Sequence, residues 1–290
     1  MTIIREWHLV TGDGTRLHGQ TWEPPRWAGE LFIVHGLGEH LGRYHDVASF
    51  FAERGLRIVI YSQRGHGRSS GVRGHAPSFG RLLDDLHEVV RDHGDHGDRG
   101  VPARFLYGHS MGGCIVLNEG LRSAGRWSGI VASSPLLLPA HEIPAWKEWL
   151  ARVASLLFPW LRFDPGIDPS ELTSDDAMAA MLREDPDWHP VITARLAVQL
   201  FAAGRWALDH APDMATPTLL MHGSDDELTS PLASRRFAEQ NEAYCRFVLF
   251  QGMRHELHHE RQRQLVWKTV GDWLAERSGR RTEPSTAGAR

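Results

Sequence analysis

Apolar and polar positions alternate along this 290-residue chain in two rhythms. Short, nearly continuous apolar runs fall at 30–35, 57–61, 104–107, 129–132, 217–222 and 246–250, the pattern of strands buried on both faces. Between them the spacing becomes helical. The segments 44–55, 79–93, 231–239 and 261–276 each carry an apolar stripe, and a further helix follows Gly113. In 79–93 the stripe is Leu82, Leu83, Leu86, Val89 and Val90, and Gly55 closes 44–55 just past the last helical position. Two extended runs, 3–10 and 17–22, come first and are split by Gly12-Asp13-Gly14. Strands that alternate with helices predict an α/β fold: a mostly parallel eight-stranded sheet, right-handed crossovers and helices on both faces.

The alternation lapses between about Pro135 and His210, where the text becomes helical, rich in Trp and punctuated by Pro. This block is best read as a helical cap inserted into the sheet domain. The expected organisation is core over 1–134, cap or lid over 135–210, core again over 211–277, and a polar, disordered tail over 278–290. In 144–163 the residues Trp146, Trp149, Leu150, Val153, Leu156, Leu157 and Trp160 share a broad helical stripe. Such a stripe packs on a core or, with Lys147, Arg152 and Arg162 beside it, lies on a lipid surface.

Composition narrows the classes. Hydrophobic residues make up 41% and charged residues 23%, as in a soluble globular protein, and eleven Trp and eleven Phe supply much large apolar surface. The net charge of −4 offers no basic balance for nucleic acid. Cys114 and Cys245 form no framework and no C-x-x-C pair, so both read as buried free thiols. The first residues lack the apolar run of a signal peptide, and no stretch approaches the roughly 18 apolar residues of a membrane span. A soluble, cytoplasmic protein is the expectation. Oligomeric state is left open.

The chemistry starts at Gly108-His109-Ser110-Met111-Gly112, a G-x-S-x-G run with a strand before it and a helix after it. That context marks Ser110 as a nucleophile on a sharp turn, with small neighbours where backbones crowd. A helix N-terminus beside it favours developing negative charge. An acyl-transfer site also needs two N–H donors for the oxyanion. One is expected from Met111, the other from Leu37 in the loop His35-Gly36-Leu37-Gly38 after an earlier strand.

The order Ser, then acid, then His predicts the remaining partners in loops after later strands. Asp225, Asp226 and Glu227 follow the strand at 217–222, and spacing alone does not separate them. His255, His258 and His259 follow the strand at 246–250; His255 is favoured because it comes first. His255-Glu256-Leu257-His258-His259 also fits H-E-x-x-H, a zinc signature. In a chain with 18 His that match is cheap, and His255 is expected in a loop rather than on a helix face. Gly65-His66-Gly67 does not reach Gly71 in the spacing of a dinucleotide motif. No cofactor and no metal is called for.

Taken together, these residues resemble the monoacylglycerol lipase family of the α/β-hydrolase superfamily, a serine aminopeptidase S33-like group. The most specific stretch is His35-Gly36-Leu37-Gly38-Glu39-His40-Leu41-Gly42-Arg43-Tyr44, similar to that family's HGxGEHxGRY segment. The runs 65–69, 108–113, 223–226 and 255–258 match as well, and the likeness extends from about Trp7 to about Leu274. The resemblance implies an α/β-hydrolase fold with a helical cap. It implies Asp226 as the triad acid, His255 as the base, and Leu37 and Met111 as oxyanion donors. It also implies that Glu39, Arg43 and His258 bind the glycerol head group, against a plain Glu39–Arg43 salt bridge. Three positions depart from the pattern: Ser62 where relatives often carry Asp, Leu182 where the mammalian enzyme has a cap tyrosine, and Thr229 in place of Cys.

A long apolar cap above the nucleophile suits an acyl-chain tunnel. The expected activity is hydrolysis of monoacylglycerols, with a lipid ester as substrate and a transient membrane-surface contact through the cap. A lysophospholipase or broad carboxylesterase is the second enzymatic reading. A non-catalytic α/β-hydrolase-fold binding protein is the reading from another class, disfavoured because no triad member is missing.

Overall fold

Strands with apolar residues on both faces need helices on both sides, and that layering is what the computed structural model shows over the described residues, 1–94 and 103–278. In chain order the elements are β1 (Ile3–Val10), β2 (Arg16–Glu23), β3 (Gly29–Val34), α1 (His45–Glu53), β4 (Leu56–Ser62), α2 (Phe79–His93), β5 (Ala103–His109), α3 (Met111–Arg122) and β6 (Gly129–Ser133). Then come α4 (Ala145–Leu157), β7 (Arg162–Phe163), α5 (Pro169–Leu172), α6 (Asp176–Glu184), β8 (Ile192–Thr193) and α7 (Ala194–Asp209). The sheet resumes with β9 (Thr218–Gly223), α8 (Pro231–Glu239), β10 (Cys245–Phe250) and α9 (Arg263–Arg277).

Eight strands form one sheet in the order β1-β2-β4-β3-β5-β6-β9-β10. Only the β1–β2 and β2–β4 pairs are antiparallel. Alternate residues of each strand feed opposite layers. Leu31 and Ile33 of β3 join Phe51 of α1 and Trp267, Val270 and Trp273 of α9. Phe32 and Val34 join Leu86 and Val89 of α2, Ile115 of α3 and Phe237 of α8.

Strand order reverses at β3, which pairs with β4 on one side and β5 on the other. At such a switch point the loops leaving neighbouring strands diverge and open a crevice beyond their C-terminal ends. The loop after β3 carries Leu37, and the turn after β5 carries Ser110.

The chain between β6 and β9 supplies α4 to α7 and a two-stranded ribbon, Arg162↔Thr193 and Phe163↔Ile192. The hydrophobic pattern gave no sign of this ribbon, since two residues per strand are too few to show a period. α4 stops at Leu157, short of the expected stripe, because Phe158 precedes Pro159 and a residue before proline is driven out of the helical region. Backbone bonds tie this segment down: His189 N–H donates to Gly38 O (3.1 Å) and Glu256 N–H donates to Leu172 O (2.7 Å). Cys114 and Cys245 are free and buried. The disordered tail expected from 278 onward lies, past Ser278, outside the described residues.

Candidate active site

Ser110 sits between β5 and α3 at φ 53° and ψ −114°, a backbone state that a side chain rarely adopts. Its surroundings hold it there. Ser110 N–H donates to Ser133 O, and its carbonyl accepts from Cys114 and Leu136 N–H, each at 3.0 Å. The turn is so tight that a Cβ on Gly112 would lie 2.0 Å from Val34 O, and one on Gly108 would lie 2.3 Å from Gly112 O. Glycine at both positions is therefore a steric requirement of the elbow.

Leu37 and Met111 line the same cavity as Ser110. Gly36 N–H is already committed to Glu39 Oε2 at 2.7 Å. The Leu37 and Met111 amides meet no protein acceptor among the described hydrogen bonds, which leaves both free for a ligand oxygen.

Of Asp225, Asp226 and Glu227, only Asp226 pairs with an imidazole among the described residues. Its Oδ2 lies 2.7 Å from His255 Nδ1, while Oδ1 accepts the Leu228 and Thr229 N–H groups, each at 2.9 Å. The Thr229 hydroxyl donates to Oδ2 at 2.9 Å. Burial disfavours the charged carboxylate, yet His255 and a hydrogen bond from His222 hold Asp226 well below the usual range. Burial likewise opposes imidazolium, but the Asp226 carboxylate outweighs it and raises His255 above its ordinary value. His255 Nε2 meets no protein group among the described hydrogen bonds, and His255 lines the cavity with Ser110. His109, packed on His255 with ring centres 4.8 Å apart, is pushed down to about 4 by burial and stays neutral.

The cavity measures about 660 Å³. Its floor is Ser110, Leu37, Met111, His255 and Glu39, and its walls come largely from the segment between β6 and β9, including Ile143, Phe163, Ile167, Leu172, Trp188 and Phe201. α4 turns Lys147, Glu148, Ala151 and Arg152 toward this space. Its other face leaves Trp146, Trp149, Leu150, Leu156 and Leu157 more than half exposed. The stripe read from the sequence therefore faces outward.

Glu39 reaches the cavity, but Arg43 and His258 are not among its walls. They stand behind Glu39. Arg43 Nε is 3.1 Å from Glu39 Oε1, and Arg43 Nη2 also binds Glu256 (2.5 Å) and His259 Nδ1 (2.9 Å). Tyr44 OH donates to Glu39 Oε2 at 2.8 Å, and His258 stacks on the Tyr44 ring, fully buried. Burial alone would raise Glu39, but the Arg43 guanidinium lowers it overall. The salt bridge and the cavity-facing carboxylate thus coexist.

Glu39, His258 and His259 bring three ligand-type atoms within 4.8 Å of one another. They fit a cation poorly. Both ring nitrogens of His259 are engaged, Nδ1 by Arg43 and Glu256 and Nε2 by Arg43 O, and a dication would stand beside a guanidinium. The H-E-x-x-H spacing also lacks its helix: His255 is in a loop and Leu257–His259 forms a short 3-10 turn.

Sequence reasoning missed His222, which lies 3.0 Å from Asp226 Oδ2 with no exposure. The available signal was a polar residue inside the buried strand Thr-Leu-Leu-Met-His-Gly, which demands a partner. Ser62, which stands where relatives often carry Asp, supplies an Oγ that accepts from Leu41 N–H at 3.2 Å.

The serine aminopeptidase S33 (hydrolase 4) family profile matches residues 25–262. A monoacylglycerol lipase of Mycolicibacterium smegmatis is 30% identical over 94% of this chain and 98% of its own length. An abhydrolase domain-containing protein of Dictyostelium discoideum is 34% identical over 93% of this chain, which spans only 29% of that larger protein. The crystal structure of a Paleococcus ferrophilus monoacylglycerol lipase superposes with a TM-score of 0.82 at 28% identity, covering 90% of this chain and 99% of that one.

Proposed function

The chain belongs to the serine aminopeptidase S33 family of α/β-hydrolases, and on that footing we propose that it cleaves monoacylglycerols to glycerol and free fatty acid through an acyl-enzyme on Ser110. The observation that carries this reading is one apolar cavity of about 660 Å³ onto which Ser110 and His255 both open, with the buried Asp226 bound behind His255. An acyl chain needs such a volume and lining, and an ester carbonyl needs the polar floor.

The reaction follows from the proton positions. Asp226 takes the Nδ1–H of His255, so Nε2 keeps a lone pair. His255 removes the Ser110 proton as Oγ attacks the ester carbonyl. The Leu37 and Met111 N–H groups receive the oxyanion. The imidazolium returns its proton to the departing glycerol oxygen. Water then gives a proton to His255 and attacks the acyl-enzyme, and His255 returns that proton to Ser110 Oγ as the fatty acid leaves. Glu39 accepts hydrogen bonds from the glycerol hydroxyls, while the Arg43 guanidinium and the Tyr44 hydroxyl hold it in place from behind and His258 packs on the Tyr44 ring. The outward apolar face of α4 rests transiently on the lipid surface from which substrate enters.

The test is a rate comparison on monoolein, lysophosphatidylcholine and a p-nitrophenyl ester, run beside Ser110→Ala. Monoolein should be the best substrate, and Ser110→Ala should lose nearly all cleavage and all fluorophosphonate labelling. A simple ester that matched monoolein would remove the lipase assignment. An active Ser110→Ala would remove the serine mechanism altogether.

A further inference from the structure

β9 is buried along its whole length, and His222 lies on the side of it that also carries Leu220. A histidine there with no exposure must satisfy both ring nitrogens within the protein. It does so at the back of the acid. Nε2 lies 3.0 Å from Asp226 Oδ2 and 3.2 Å from Thr229 O, and Nδ1 lies 2.9 Å from Ser234 Oγ. An ionised carboxylate and a backbone carbonyl only accept, so the proton must be on Nε2. The Ser234 hydroxyl, which can rotate, satisfies Nδ1.

We propose that His222 is a positioning residue of the reaction: an imidazole, protonated on Nε2, that donates to Asp226 Oδ2 and holds the carboxylate against His255. The proposal rests on reading Ser110, Asp226 and His255 as the triad. Oδ2 then receives His255 at 2.7 Å, Thr229 Oγ1 at 2.9 Å and His222 at 3.0 Å, while two amides hold Oδ1. Five donors fix the carboxylate plane and spread its charge. Without His222, Oδ2 carries more charge toward His255 and draws the imidazolium proton more strongly. The other titratable groups facing His255 are His109, His258, Glu39 and Glu256, and none of them touches His222 among the described hydrogen bonds and ion pairs.

The experiment compares His222→Leu, which removes the donor, with His222→Gln, whose amide N–H can restore it. His222→Leu should lose about ten- to a hundredfold in kcat, the size expected when a hydrogen bond to a charged group is lost. The acid limb of its kcat/KM profile should move to higher pH, and His222→Gln should recover most of both. A fall in kcat with an unmoved acid limb, or no change in either, overturns the proposal, because loosened packing alone would not shift a proton equilibrium. If His222→Leu does not fold, nitrogen-15 histidine NMR of the unaltered protein decides. His222 should show a protonated Nε2; an Nε2 without its proton overturns the proposal. Ser110→Ala in the same series separates the two claims. Activity there sinks the triad, whereas its loss beside an unmoved His222→Leu profile sinks the His222 role alone.

Discussion

Asp226→Asn is the sharpest perturbation of the site, because the structure dictates how the new amide must sit. Oδ1 of Asp226 is bound by two backbone N–H groups, those of Leu228 and Thr229, each at 2.9 Å. An asparagine that turned its NH₂ toward them would leave two buried donors facing donors, at about 1–3 kcal/mol each. The amide oxygen therefore stays on those donors and the NH₂ takes the Oδ2 position, 2.7 Å from His255 Nδ1, where the other two donors have a second acceptor: the Thr229 hydroxyl can turn to Ser134 O and His222 Nε2 keeps Thr229 O, each at 3.2 Å. The imidazole answers by moving its proton to Nε2, which costs far less than two orphaned amides. That tautomer presents N–H instead of a lone pair to Ser110 and cannot take its proton. A reversed tautomer of this kind costs a serine triad about 10⁴ in kcat, or about 5.4 kcal/mol of transition-state stabilisation. KM should change little, since no atom of the cavity wall moves. Release of oleic acid from monoolein, measured under saturating substrate with folding checked by circular dichroism, gives kcat. A folded Asp226→Asn within tenfold of the unaltered enzyme would refute the assignment of Asp226 and the donor argument with it.

Three further outcomes follow from the same geometry. The raised His255 means that activity is lost as pH falls through a value above the ordinary imidazole figure of 6.5, because the protonated ring cannot accept from Ser110; a kcat/KM profile whose acid limb lies below that figure contradicts the Asp226–His255 pair. Gly112→Ala places a Cβ 2.0 Å from Val34 O and 2.7 Å from His35 O, both strand-end backbone atoms, so denaturant titration should show a loss of at least about 2 kcal/mol, and an unchanged midpoint would show that the elbow is looser than drawn. Replacing Trp149 and Trp160, 65% and 67% exposed, by Ser should weaken binding to phospholipid vesicles at least about tenfold while hydrolysis of a soluble p-nitrophenyl ester stays unchanged; equal vesicle binding would end the lipid-surface role of the cap.

Much of the fold was legible because its strands are buried on both faces and so leave uninterrupted apolar runs, as at Leu31–Val34 and Thr218–Met221. The switch point was legible only through its products, the two loops that bear Leu37 and Ser110, since strand order leaves no mark on hydrophobicity. What stayed hidden depended on depth and direction. Glu39, Arg43 and His258 carry the same weight in a motif, yet one carboxylate reaches the cavity while the guanidinium and imidazole stand a layer behind it. The stripe in 144–163 was periodic, but periodicity fixes a face without saying what it meets.

α4 makes the point sharpest. A helix that closed the cavity with its apolar stripe would have left Lys147, Glu148 and Arg152 outside. The structure does the opposite: those residues line the cavity, and Arg205 of α7 pairs with Glu148 at 2.5 Å. That orientation leaves five large side chains against water, the exposure that the proposed lipid contact would remove. The cost is about 1–2 kcal/mol for each such chain that stays exposed, and contact with a lipid surface removes it. On the reading proposed above, the orientation of this one helix sets its polar face toward the cavity below and its apolar face toward a lipid surface above.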